Sequence, residues 1–308
     1  MAKRYTERAY MKAERLNTSD IKEFSAYCIK HRNEVDDSFL YDHHLKDFKA
    51  DEENPTFVVK EEGRIVAAAS LIMDDYHKRG GSGRFRIFHS EIQDITIYSS
   101  LLEEVLKEAK ELKKVSIFIP FVNKEMAEYV EGLHFTVDRY IFLLVNDMKE
   151  ISDINLPEGY SIRAMEPGDL EEWCIIRNEA FARLKGNSAP ITPEMVQKNM
   201  EQPEYLEGGH MLILKGDKPV GLIRGENDEY DSAPAIYIGP IAVLPAYQGK
   251  GLGRQLLRAA LQFADALEYK KAVLCVNADN ERAKELYLQE GFKQTEGVTA
   301  YELYLYEE

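Results

Sequence analysis

The sequence predicts a mixed α/β protein built as two consecutive domains, and three observations carry that reading. At 308 residues the chain exceeds what one average core holds, so two domains are expected. Segments with helical apolar spacing alternate with β-branched and aromatic runs along the whole length. The order of these segments in residues 1–150 recurs in residues 151–308, across the break "NDMKEISDINLPEGYSIRAMEPGDL" with its two prolines and two glycines.

Taken in order, the first half gives a helix near Ser19–Arg32, then the strands "TFVVKEE" and "RIVAAASLIM" joined by a turn at Gly63. The cluster Gly80, Gly81 and Gly83 reads as a flexible hairpin tip before the strand "RFRIFHS". The helix "SSLLEEVLKEAKEL", the strand "KVSIFI", the helix "NKEMAEYVEGL" and the strand "DRYIFLLV" complete it. The second half opens with the helix "DLEEWCIIRNEAF" and the strands "HMLILKG", "KPVGLIRGEN" and "AIYIGPIAVLP". The helix "RQLLRAALQFADAL", the strand "KAVLCVN", the helix "NERAKELYLQEG" and the strand "TAYELYLY" follow. At an offset of 157 the halves align without a gap, Asn123 on Asn280 and Phe135 on Phe292. Identity is slight, so the pattern alone leaves duplication open.

Composition narrows the function. Hydrophobic content of 44% and charged content of 30% suit a soluble globular protein, and no apolar run approaches the roughly 20 residues that span a bilayer. The charged start "MAKRYTERAYMKAERL" is no secretory signal, and Cys28, Cys174 and Cys275 fit neither a disulfide framework nor a zinc site. A cytoplasmic protein is therefore expected. The net charge of −15 argues against nucleic-acid binding. Residues 1–150 contribute −5 and residues 151–308 contribute −10, a field that favours cationic small molecules.

Against that field stands a local exception. In "PIAVLPAYQGKGLGRQLL" a strand runs into a helix through Gly249, Gly251 and Gly253, with Lys250 and Arg254 beside them. The first N–H groups of a helix lack intrahelical partners and its dipole favours an anion there, so this is a phosphate cradle. A tight turn without a ligand is the plain alternative. The stretch matches neither G-x-G-x-x-G nor G-x-x-x-x-G-K-[ST].

Gln248, Gly251 and Gly253 do resemble the acetyl-CoA loop Q/R-x-x-G-x-G/A of GNAT (GCN5-related) N-acetyltransferases. Asn280, Tyr287, Gly291 and Phe292 resemble a second motif of the same family, and the resemblance covers residues 158–308. It implies an α/β (α+β) fold of two tandem GNAT-like domains, each a mixed, partly splayed sheet flanked by helices. The type is that of the mycothiol synthases, with residues 1–150 a degenerate copy and residues 151–308 catalytic. It also implies acetyl-CoA as cosubstrate, no metal, and an amine acceptor attacked directly in a ternary complex.

The same resemblance assigns roles. Backbone groups of Ile241, Ala242 and Val243 pair with the pantetheine arm, and the Val243 N–H polarises the thioester carbonyl. Gln248, Gly249, Lys250, Gly251, Leu252, Gly253 and Arg254 bind the diphosphate. Tyr287 is the general acid that protonates CoA thiolate, its alternative being a core aromatic. Asn280 holds the pantetheine, caps a helix, or does both. Glu226 is nominated as general base, although it and Asp228 also read as solvated loop carboxylates. His210, the only histidine of the second half, is expected at the surface or in a structural role, and His43–His44 at the surface.

The first half lacks this equipment. At an offset of 155 the loop glycines become Asp94, Thr96 and Tyr98, and at 157 Val130 takes the tyrosine position, so no CoA binding is expected there. That half is left as a wall of the acceptor pocket or as a subunit interface, a homodimer being one reading. A non-catalytic acyl-CoA sensor and transfer to a protein N-terminus or lysine stand as rivals to small-molecule acetylation.

Overall fold

A computed structural model describes residues 11–187 and 189–305. Tyr306, the end of the last expected strand, and the first ten residues lie outside the described part. The chain forms two compact units, residues 1–139 with 298–308, and residues 140–297. The expected boundary at 150 does not match this division, for a reason the strands make plain.

The first unit begins with β1 (Glu14–Arg15), α1 (Ile21–His31) and α2 (Asp42–Lys46). The hairpin of β2 (Thr56–Glu61) and β3 (Arg64–Ile72) leads to α3 (Asp75–Gly80) and β4 (Ser82–Ser90). Next come α4 (Ile95–Glu108), β5 (Lys114–Pro120) and α5 (Lys124–Gly132). The second unit takes in β6 (Thr136–Asn146) from Tyr140, then β7 (Tyr160–Ala164), α6 (Leu170–Phe181) and α7 (Pro193–Met200). The antiparallel run of β8 (Tyr205–Lys215), β9 (Lys218–Tyr230) and β10 (Ala233–Val243) precedes α8 (Leu252–Ala266), β11 (Ala272–Asn277) and α9 (Glu281–Gln289). The last strand, β12 (Lys293–Tyr304), passes back into the first unit at Val298.

Each unit therefore takes in a strand from the other half of the sequence. The order is β1-β2-β3-β4-β5-β12 in the first unit and β7-β8-β9-β10-β11-β6 in the second. β6 follows α5 in sequence yet pairs antiparallel with β11, Leu143 opposite Cys275. β12 follows α9 and pairs antiparallel with β5, Tyr301 opposite Ile117. The midpoint of the sequence is thus not a domain boundary.

The glycine-rich tip is also not a loose hairpin. Asp74 accepts from the His77 N–H at 3.1 Å and Gly81 closes the C-terminus of α3 at φ 63°, so a capped helical turn joins β3 to β4.

In each unit one pair of parallel strands holds together only at its start. β4 pairs with β5 from Ser82 to Arg84 and β10 with β11 only at Ile236 and Tyr237. In the second unit the parting begins at a β-bulge between Ile238 and Ile241, where β10 carries one residue more than β9. The Arg224 Nε–H clamps this bulge by donating to the Gly239 carbonyl at 2.8 Å.

Candidate active site

The gap in the second unit opens between the carboxyl ends of β10 and β11, and the helix that follows each strand starts there. Antiparallel strands alternate residues that bond the neighbour with residues that point away. The Leu244 N–H donates to the Val220 carbonyl at 2.9 Å, and Ala242 stands opposite Leu222. Ala242 and Leu244 therefore spend their backbone groups on β9, whereas Ile241 and Val243 turn theirs toward the gap. Of the three expected pantetheine partners, Ala242 is the one this alternation removes. The Val243 carbonyl accepts from Gln248 Nε2 at 3.0 Å, so the glutamine braces the loop and leaves the Val243 N–H open to the gap.

α8 starts without a side-chain cap, on Gly251 at φ 77°, and Gly249 has φ 80°. A side chain at either position is strained. Gly253 is different: its φ is not positive, and a Cβ built there meets no protein atom within 4 Å. Glycine in a first helical turn costs up to about 1 kcal/mol relative to alanine. Neither conformation nor packing in this chain asks for it, which leaves close approach by a ligand. Leu252 buries its side chain in the core and offers only its N–H to the loop. Lys250 is exposed, with its Nζ 5.2 Å from the Tyr247 ring centroid.

Arg254 is not the free cation expected. Its Nη1 lies 2.8 Å from Glu290 Oε1, and Arg258 Nε lies 2.8 Å from Glu290 Oε2. Both arginines thus brace α8 against the end of α9. Burial by itself would raise the Glu290 pKa, but hydrogen bonds and charge from Arg258 and Arg254 outweigh it and hold the carboxyl below its usual value. The lowered pKa adds stability that is present above the unfolded value and is lost as pH falls through the folded one, below about pH 4. Glu290→Gln should cost about 2 kcal/mol in urea unfolding at neutral pH, a figure reduced for the part-exposed Arg254. The difference from the parent should shrink below pH 4.

On α9, Asn280 accepts from the Ala283 N–H at 3.3 Å, so the capping role is present, and its Nδ2 has no partner among the described residues. Tyr287 packs 6.1 Å from Phe292 between ring centroids. Its hydroxyl has no hydrogen-bond partner among the described residues, and burial pushes its pKa up to about 12.

Glu226 lies inside β9, not in a loop, because that strand runs on to Tyr230. It stands opposite Tyr237, the last β10 residue paired with β11, level with the mouth of the gap. Its Oε2 is 3.3 Å from Arg224 Nε and its Oε1 3.6 Å from His210 Nε2. His210 is 3% exposed and so is not a surface residue. It stacks on Trp173 at 5.3 Å, and neither ring nitrogen finds a hydrogen-bond partner among the described residues. Sequence reasoning passed over it. The signal was the run "HMLIL", apolar on both strand faces, which marks a strand buried on both sides.

The first unit shows the contrast. Asp94 caps α4 by accepting from the Thr96 N–H at 2.9 Å, placing a carboxylate where the other unit leaves bare amides. The Tyr98 hydroxyl accepts from the Ser90 N–H at 3.2 Å, and Val130 is fully buried.

The acetyltransferase (GNAT) family profile matches residues 170–292, which hold the gap, the glycine loop and both flanking helices. The second unit resembles a GNAT acetyltransferase. Among curated relatives, a mycothiol acetyltransferase of Streptomyces scabiei is 30% identical over 138 residues, 44% of either chain. One of Pseudarthrobacter chlorophenolicus is 27% identical over 149 residues, 46% of this chain and 45% of its own. Each match thus spans less than half of the relative's length. A GCN5-related N-acetyltransferase from Sphaerobacter thermophilus superposes with TM-score 0.70 at 17% identity over 96% of both chains. A tandem GNAT protein from the clavulanic acid biosynthesis pathway gives TM-score 0.69 at 13% identity over 97% of this chain and 99% of its own. The chain has the tandem GNAT fold. Among the described residues no helix is long and apolar enough to cross a membrane.

Proposed function

We propose that the second unit transfers an acetyl group from acetyl-CoA to a primary amine of a small molecule or peptide, by direct attack in a ternary complex. The observation that carries this reading is the gap itself. Ile241 and Val243 turn backbone groups into it, and an uncapped helix start with a glycine of no structural use lies at its end. The thioester arm pairs with Ile241 and Val243 as an added strand would, and the diphosphate lies on the amides of Gly249 to Gly253. The Val243 N–H faces the carbonyl oxygen as charge grows on it.

Tyr287, protonated throughout the neutral range, donates to the departing thiolate. Desolvation in the gap raises the thiol's own proton affinity, which brings donor and acceptor closer in strength. Glu226, with His210 beside it, takes the proton of the attacking amine, directly or through water. The negative balance of residues 151–308 draws a cationic acceptor to the site. The first unit, whose helix start is already filled by Asp94, binds no acetyl-CoA. Tyr287 and the Glu226–His210 pair favour catalysis over a sensor, which would need neither.

The test is thiol release from acetyl-CoA across a panel of amines, including the amine precursor of mycothiol and peptides. At least one amine should be turned over, and tight acetyl-CoA binding without transfer to any of them would overturn the reading. With an accepted amine, Glu226→Gln should lower kcat by about 100-fold and leave acetyl-CoA affinity within about threefold.

A further inference from the structure

The first unit holds a cluster of titratable side chains that acetyl transfer leaves unused. His31 ends α1, Glu34 follows three residues later, and β4 brings in His89. The two imidazole rings stack with centroids 4.3 Å apart. His31 Nδ1 lies 2.8 Å from Glu34 Oε1, and its Nε2 lies 3.0 Å from Glu91 Oε1. His89 Nε2 lies 3.3 Å from Glu34 Oε2, and its Nδ1 lies 2.7 Å from the Tyr27 hydroxyl. Both histidines are buried, whereas the Glu34 side chain is 56% exposed.

Counting protons shows what is missing. A neutral imidazole carries one N–H, and an ionised carboxylate only accepts. His31 faces carboxylate oxygens on both nitrogens, so its single proton serves Glu91 or Glu34 but not both. In the tautomer where the Tyr27 hydroxyl donates to the Val66 carbonyl at 3.2 Å, His89 Nδ1–H donates to Tyr27 at 2.7 Å. His89 Nε2 then presents a lone pair to Glu34. With the His31 proton on Glu91, His31 Nδ1 and His89 Nε2 each turn a lone pair toward a Glu34 oxygen, 2.8 and 3.3 Å away, with no proton between them.

We propose that His31, Glu34 and His89 hold one divalent transition-metal ion, zinc being the natural occupant of such a donor set. The three ligand atoms lie within 4.8 Å of one another. A tetrahedral zinc with bonds of about 2.0–2.1 Å spaces its ligands about 3.3 Å apart. His89 and Glu34 already stand at that spacing, and the exposed Glu34 side chain has room to open the shorter contact with His31 by about 0.5 Å. The outer tie from His31 Nε2 to Glu91 is the carboxylate–histidine arrangement that orients a metal ligand. Glu91 is itself held by Lys30 at 2.6 Å and Arg64 at 2.9 Å. The Glu34 side of the cluster adjoins the cleft that Glu34, Asp36 and Arg86 line where β4 parts from β5. Spacing along the chain predicts no metal, because β4 supplies a ligand that only the fold brings near.

The full chain, stripped of metal by chelator, is titrated with Zn²⁺ by calorimetry and with Co²⁺ by visible absorption. One ion per chain is expected, with the Co²⁺ band of a tetrahedral site. Glu34→Gln should weaken Co²⁺ binding at least about 10-fold and Glu91→Gln about 10- to 100-fold. The double variant His43→Ala/His44→Ala should match the parent. His89→Gln should abolish the band, with folding checked by circular dichroism. Glu34→Gln changes a half-exposed residue and keeps the test decisive should His89→Gln fail to fold. No stoichiometric uptake by the parent overturns the proposal. Equal binding by Glu34→Gln overturns it as well.

Discussion

Gly253→Glu should abolish acetyl-CoA binding by calorimetry, a loss of more than about 100-fold, in a protein that melts at or above the parent's temperature. The two halves of this result have one cause. Gly253 has no positive φ and open space around its Cβ position, so a longer side chain enters the helix without a clash. Replacing glycine in a helix gains up to about 1 kcal/mol, and a carboxylate in the first turn adds a favourable term with the dipole. The same carboxylate sits where a diphosphate must lie. Repulsion between close charges near a protein surface is about 3–4 kcal/mol, which exceeds two powers of ten in affinity. Gly251 is a poorer site for this experiment, because its φ of 77° would mix strain with loss of binding. Unchanged affinity in a well-folded Gly253→Glu protein would remove the cradle from the proposed function.

Tyr287→Phe should lower kcat by about 100-fold while the Kd for acetyl-CoA stays within about threefold. The ring packs near Phe292, and phenylalanine keeps that packing. The hydroxyl makes no hydrogen bond among the described residues, so its removal leaves no buried partner unsatisfied. What is lost is a proton at the thiolate, needed only as the carbon–sulfur bond breaks. Since the pKa is pushed up to about 12, the parent should show no alkaline loss of rate from this group below about pH 10. Full activity of Tyr287→Phe across that range would end its assignment as general acid.

The parts of the site that the sequence makes legible are those written in one local stretch. Gly249 and Gly251, between a strand and a helix, state their own conformation, and Tyr287 keeps a fixed distance along the chain from Asn280 and Phe292. Side chains that meet from distant stretches are not legible in this way. Arg254 looks like a phosphate ligand until α9 brings Glu290 against it from 36 residues away. His210 looks isolated until Trp173 covers its ring and the neighbouring strand supplies Glu226. Element types were largely readable from periodicity, but partner choice was not. "DRYIFLLV" and "TAYELYLY" are interchangeable as patterns of alternation, and nothing in either says which sheet receives it.

That last ambiguity bears on how this protein can be taken apart. A gene cut at its midpoint would yield one product whose Val115–Ile119 edge lies bare and another whose β11 has lost its β6 partner along Val273–Asn277. Such naked edges invite precipitation. Nicking the intact molecule near residue 150 should instead leave both pieces interlaced, eluting together from a sizing column until denaturant is added.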